Sequence, residues 1–187
     1  MTPRRLLVTV ASSLALLGAA CGEGGTAAVE GESEGESADA AAESTSTDLA
    51  SLPPLEMTDV ATGGTTTLDA ELTSDGRPVV AWFWAPHCPT CRSEAPELDD
   101  FVEEHGSEVK LVGIGTRDDP EAAGEFLEVT GVEGFPLLWE PTGEAWTTFG
   151  VTAQPYTVLY DADGTELRRW PGGASGEEIL EELARRS

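Results

Sequence analysis

The run Val79-Val80-Ala81-Trp82-Phe83-Trp84-Ala85 is apolar at every position and ends just before Cys88-Pro89-Thr90-Cys91. A strand that is apolar on both faces belongs inside a sheet covered on both sides, which points to an α/β architecture with this strand at its centre. Pro89 reads as the first residue of a helix, where its missing N–H costs nothing, and Cys88 as the N-cap. The orphan N–H groups and positive dipole end of that helix then point at the Cys88 sulfur and favour its thiolate. Cys91, one turn in, reads as more buried and less acidic. The spacing suits reversible disulfide chemistry, with Cys88 as the attacking nucleophile and Cys91 as the resolving thiol. A structural disulfide or half a zinc site are the plainer alternatives. Zinc would need two further ligands at suitable spacing, and only His87 and His105 stand outside the pair, so no metal and no cofactor beyond the cysteines is expected.

The rest of the domain follows from periodicity. Thr58 to Leu72 reads as an opening hairpin turning at Gly63-Gly64. The helix after Cys91 turns Leu98, Phe101 and Val102 inward and stops near Gly106. Val109 to Thr116 is the next strand, and Asp118-Asp119-Pro120 caps a helix to about Thr130. Pro136 to Glu140 reads as a short strand or a turn, and Thr142 to Phe149 as a short helix. Tyr156 to Tyr160 and Glu166 to Trp170 form a hairpin about Asp161 to Gly164, and a capped helix from Ser175 to Arg186 closes the chain. The expected fold is a mixed sheet flanked by helices on both faces, with an N-terminal hairpin extension.

The first 20 residues carry Arg4 and Arg5, an apolar stretch from Leu6 to Leu17, and small residues before Cys21, the pattern of a secretory signal peptide. Small residues ahead of Cys21 resemble a bacterial lipobox, with Gly18 where leucine is usual, so Cys21 reads as a lipidation site. Plain cleavage after Ala20 is the alternative. Residues 22–50 hold eight acids and no Lys or Arg, a composition expected to be a disordered linker of roughly 30 Å reach. The folded domain is expected over 52–187. With 35 acids against 10 bases, the chain is unsuited to nucleic acid or to electrostatic attachment to anionic lipid. Residence at a membrane would have to come from a covalent lipid anchor. The expected location is the outer face of the cytoplasmic membrane as a lipoprotein, or secretion.

Trp82 to Leu98 (WFWAPHCPTCRSEAPEL) and Gly150 to Gly164 (GVTAQPYTVLYDADG) resemble thioredoxin-fold proteins of the TlpA/ResA-like extracytoplasmic branch. They resemble most the secreted DsbE-type proteins of mycobacteria and their relatives. The resemblance runs from about Leu52 to the C-terminus and implies a thioredoxin fold and thiol–disulfide exchange with protein substrates. It implies a cis bond before Pro155, with Gln154 and Pro155 contacting an extended substrate strand. It also assigns Glu94, three residues after Cys91, to proton transfer with the resolving thiol. The buried aspartate of cytoplasmic thioredoxins, six residues before the first cysteine, is Trp82 here. His87 stands where a bulky residue is common and, if protonated, would stabilise the Cys88 thiolate and tune its acidity.

The leading expectation is an exported thiol–disulfide oxidoreductase, more oxidase than reductase, acting on protein thiols and recharged by an unidentified redox partner. A monomer is expected. The alternative is a TlpA/ResA-like reductase serving cytochrome c maturation. A peroxiredoxin is weaker, because neither cysteine follows a P-x-x-x-[ST]-x-x-C pattern. A copper chaperone using Cys88, Cys91 and His87 is weaker too, since His105 is expected at the far end of the helix.

Overall fold

The computed structural model describes residues 46–186. The expected signal peptide, Cys21 and most of the expected acidic linker lie outside the described residues. The elements in chain order are β1 (Glu56–Asp59), β2 (Thr65–Thr67), α1 (Leu68–Leu72), β3 (Val79–Trp84), α2 (Pro89–His105), β4 (Lys110–Gly115), α3 (Pro120–Thr130), β5 (Leu137–Trp139), α4 (Glu144–Thr148), β6 (Tyr156–Tyr160), β7 (Glu166–Pro171) and α5 (Gly176–Ala184). One seven-stranded sheet runs in the order β2-β1-β5-β4-β3-β6-β7. β3 is buried at all six positions, pairing parallel with β4 and antiparallel with β6.

Alternation along β3 divides the core. Trp82 and Trp84 point to one side, where both rings meet Phe126 of α3, the second at 4.4 Å between centroids. Phe83 points to the other, against Trp146 of α4 and Phe149 just after it. α3 and α4 therefore cover opposite faces. The right-handed rule for parallel crossovers puts α2, linking β3 to β4, on the same face as α3, linking β4 to β5. α2 packs against α3 and α5 there. The mixed sheet with flanking helices is thus observed as expected.

Two local expectations are corrected, and one left open between strand and turn is resolved. The opening hairpin is shorter than Thr58 to Leu72: β1 begins at Glu56, and after three paired residues of β2 the chain turns into α1, burying Leu68 and Leu72 in the core. Pro136 to Glu140 contains a true strand, β5, because its three buried residues fill the gap between β4 and β1. The ordered domain also starts before Leu52. Asp48 caps a short 3₁₀ turn at Leu49–Ser51, Leu49 is buried, and its N–H donates to the Gly164 carbonyl at 3.1 Å. One apolar side chain and one β6–β7 turn thus draw the end of the acidic stretch onto the domain.

Two buried carboxylates hold helices in place. Glu140 accepts from the backbone N–H groups of Thr142, Gly143 and Ala145, satisfying orphan donors at the start of α4. Glu182 on α5 accepts from Arg168 of β7 and from Arg185 and Arg186, which fastens the last helix to the edge strand. Its carboxyl is held below the ordinary glutamate range, first by Arg186 and then by Arg168. Ser175 and Glu178 complete a capping box at the start of α5.

Candidate active site

Strand register gathers the site. Trp84, the last residue of β3, pairs with Gly115, the last of β4, and Phe83 pairs with Tyr156, the first of β6. The segments Ala85–Cys88, Thr116–Asp119 and Gln154–Pro155 therefore leave the sheet at one end. This is the end where the parallel strands finish, the usual location of sites in α/β sheets.

Cys88 is the N-cap of α2, and its Sγ accepts from the Cys91 N–H at 3.0 Å. The two cysteines form a disulfide. Cys88 keeps 4% of its surface accessible and Cys91 none, so an incoming group meets Cys88 rather than Cys91. The orphan N–H that bonds this sulfur stabilises a thiolate there when the pair is reduced. The Gln154–Pro155 bond is cis, and the Pro155 carbonyl accepts from Gly172 N–H at 3.0 Å, joining this loop to the turn after β7.

Glu94 lies on α2 one turn beyond Cys91 and is half-buried. Trp82 Nε1 donates to its Oε2 at 2.9 Å, and the Ala174 backbone also bonds it. Burial raises the Glu94 carboxyl above the ordinary glutamate range, while the bonds from Trp82 and Ala174 partly oppose the rise. Gly173, at φ 91°, lies so close to this carboxylate that a Cβ there would collide with it. Trp82 thus occupies the thioredoxin aspartate position and serves as a donor to the carboxylate that enters from α2.

His87 is held on three sides. Its Nδ1 lies 2.6 Å from Asp118 Oδ2, its backbone N–H donates to the same oxygen at 3.2 Å, and its Nε2 is 3.0 Å from Gln154 Nε2. His105 lies at the last position of α2, beside Phe101 and away from the pair, as expected. Among the described residues no group of three or more His, Cys, Asp or Glu is arranged to hold a metal ion.

Residues 50–166 match the AhpC/TSA family. The chain belongs to this family. The soluble secreted antigen MPT53 of Mycobacterium tuberculosis is 40% identical over 90 residues, 48% of this chain and 51% of that protein. The chain therefore spans about half the length of the curated relative it matches. The solved structure of MTB DsbF in mixed oxidized and reduced forms is similar with a TM-score of 0.61 at 31% identity, over 72% of this chain and 96% of that one. A secreted Mycobacterium tuberculosis disulfide oxidoreductase homologous to E. coli DsbE gives a TM-score of 0.59 at 32% identity, over 71% and 96%. The resemblance to mycobacterial DsbE-type proteins and the thioredoxin fold are borne out.

Within this AhpC/TSA-family protein the structure brings Cys88, Cys91, Glu94, His87, Gln154 and Pro155 to one end of the sheet. Two participants were not legible beforehand. Asp118 reads in sequence as part of a helix cap, yet Asp119 alone caps α3, accepting from Ala122 N–H at 2.8 Å. That leaves Asp118 free to turn back to His87. The Gly173–Ala174 backbone at Glu94 belongs to a turn some 80 residues away in sequence and carries no side-chain signature. The doublet Gly172-Gly173 was the one available hint, since both residues have positive φ.

Proposed function

We propose that this protein is an exported thiol–disulfide oxidoreductase that passes the Cys88–Cys91 disulfide to protein thiols. The observation that carries the reading is Cys88, whose sulfur caps α2 and which alone of the pair keeps accessible surface. A helix N-terminus stabilises the leaving thiolate and so favours release of the disulfide, the behaviour of an oxidase. Gln154 and Pro155, beside it, offer backbone to an extended substrate. Export rests on the N-terminal leader, Cys21 supplies the lipid anchor, and the relative MPT53 is itself a secreted protein. A redox partner outside the cell recharges the disulfide, and the monomer suffices for exchange.

Reduction, as in cytochrome c maturation, is the second reading, favoured by the net charge of −25, whose field opposes a thiolate at Cys88. Peroxide reduction is tested separately. Neither cysteine is preceded by the proline and hydroxyl residue of the peroxidatic pattern. The oxidised protein should convert a dithiol peptide to its disulfide in stoichiometric amount, while hydrogen peroxide with a thiol donor should not be consumed above background. Peroxide turnover without peptide oxidation would overturn the reading.

Glu94 supplies the proton to Cys91 as that sulfur leaves. Burial keeps a fraction of its carboxyl protonated above the ordinary glutamate range. Exchange, corrected for substrate thiolate, should therefore slow as pH rises through the raised Glu94 value. Glu94→Gln should lower the rate between tenfold and about 10²-fold on the acid side and flatten that limb, while keeping an acceptor for Trp82. A variant profile that still falls with pH like the parent's would assign the limb elsewhere.

A further inference from the structure

We infer that His87 is the base that takes the proton from an incoming protein thiol, and that Asp118 is the residue that positions it. The inference rests on the exchange reading above and adds a proton acceptor on the substrate side of the disulfide.

The hydrogen bonds define the state of the ring. A carboxylate only accepts, so His87 Nδ1 carries the proton given to Asp118. An amide nitrogen only donates, so Nε2 accepts from Gln154 and presents a lone pair. A half-turn of the Gln154 amide would place its oxygen against the ring, and the same partners would then hold the imidazolium. The arrangement therefore accommodates both forms of the ring.

Asp118 reaches His87 at a backbone cost. Arg117 and Asp118 are the two non-glycine residues with positive φ among those described, at 69° and 57°. Each such residue costs on the order of 1 kcal/mol or more and persists only where its surroundings enforce it. The enforcement is visible: the Arg117 carbonyl accepts from Trp139 Nε1 at 3.2 Å, its guanidinium lies over the Trp146 ring at 5.0 Å, and it donates to the Thr152 carbonyl at 3.3 Å. A helix cap does not require this twist, because Asp119 supplies the cap. The twist instead turns Asp118 toward the residue before the nucleophile.

The charged groups about His87 are few. Asp118 faces it from the β4–α3 loop, with Asp119 occupied by the α3 cap and Arg117 by Thr152 and Trp146. From α2, Arg92 donates to the Pro86 carbonyl at 3.1 Å. From the Pro155 loop the neighbour is the uncharged Gln154.

In the step inferred, a substrate thiol takes the place of the Gln154 amide at Nε2. Its proton passes to Nε2, and the resulting thiolate attacks Cys88 Sγ. A bond forms between the substrate sulfur and Cys88, and the Cys88–Cys91 bond breaks. The electron pair leaves on Cys91, which gains a proton from Glu94. The substrate sulfur is oxidised and Cys91 reduced. A second substrate thiol loses its proton to water, from which Glu94 is reprotonated. Its thiolate attacks the substrate sulfur of the mixed disulfide, the bond to Cys88 breaks, and the Cys88 thiolate takes the imidazolium proton, which restores His87.

The test is the pH dependence of peptide oxidation by the purified protein, from pH 5.5 to 8.5. An ordinary thiol is only ~1% ionised two units below its pKa of about 8.5, so a base that removes its proton can gain at most about 10²-fold there. At pH 6.5, His87→Ala and His87→Gln should both be slower by about tenfold to 10²-fold. Their rates should fall with decreasing pH more steeply than the parent's, while the dependence assigned to Glu94 persists in both. Asp118→Ala should lose most of the same factor, and the double variant should be no slower than His87→Ala alone. Equal melting temperatures separate the effect from misfolding. Parent activity with an unchanged profile in His87→Ala, or additive losses in the double variant, would overturn the base. A parent protein that oxidises no thiol at any pH would overturn the exchange reading itself and this step with it.

Discussion

With serine at position 88 the protein is expected to exchange disulfides no faster than the uncatalysed background. With serine at position 91, and with the disulfide form of the peptide offered as substrate, it should stop after one attack. The product is a mixed disulfide between Cys88 and one peptide sulfur, the other peptide sulfur leaving as a thiol. The asymmetry follows from burial: Cys91 has no accessible surface, so when Cys88 is gone no protein thiol can reach the remaining sulfur. When Cys91 is gone, Cys88 still has the N-terminus of α2 to stabilise its thiolate, and nothing remains to resolve the bond it makes. Non-reducing electrophoresis with mass spectrometry of the trapped species reads both outcomes. Exchange by Cys88→Ser at the parent rate, or trapping through Cys91, would reverse the assignment of the two sulfurs.

The largest structural effect is expected at Phe126. Its ring is fully buried, stacked on Trp84 at 4.4 Å and tilted against Trp82 at 6.4 Å. Alanine there should cost about 3–5 kcal/mol, from lost transfer energy and from the cavity left between two rigid indoles. A domain of this kind has roughly 5–15 kcal/mol in all. The loss should appear in urea denaturation as a lower midpoint with an unchanged slope. Because Trp82 also donates to Glu94, the same substitution should loosen the hold on that carboxylate. A loss below about 1 kcal/mol would mean that the indoles close over the gap.

What could be read in advance tracks the range of the interactions. The buried strand, the cysteine N-cap and the Pro89 start are local consequences of residue type, and they stand as read. So does the Ser175 cap of α5, whose partner Glu178 lies three residues on. β5 was ambiguous because three residues carry no period, and only the open edges of β4 and β1 make them a strand. α1 was missed because Thr65–Thr67 has strand composition and the change of direction at Leu68 is dictated by core space. At the site, His87 and Glu94 were visible as candidates, but their partners were not. Asp118, Trp82 and Gly173 meet them through strand register and a distant turn.

The central claim is that the Cys88–Cys91 pair gives its disulfide away. The most direct measurement is its reduction potential, by equilibrating the purified protein with glutathione or dithiothreitol buffers and quantifying the two forms. Stabilisation of the Cys88 thiolate by the α2 N-terminus predicts a value of about −180 to −120 mV, the range of protein disulfide donors. A value near about −270 mV or lower, that of a dithiol reductant, would contradict it and assign the protein to disulfide reduction.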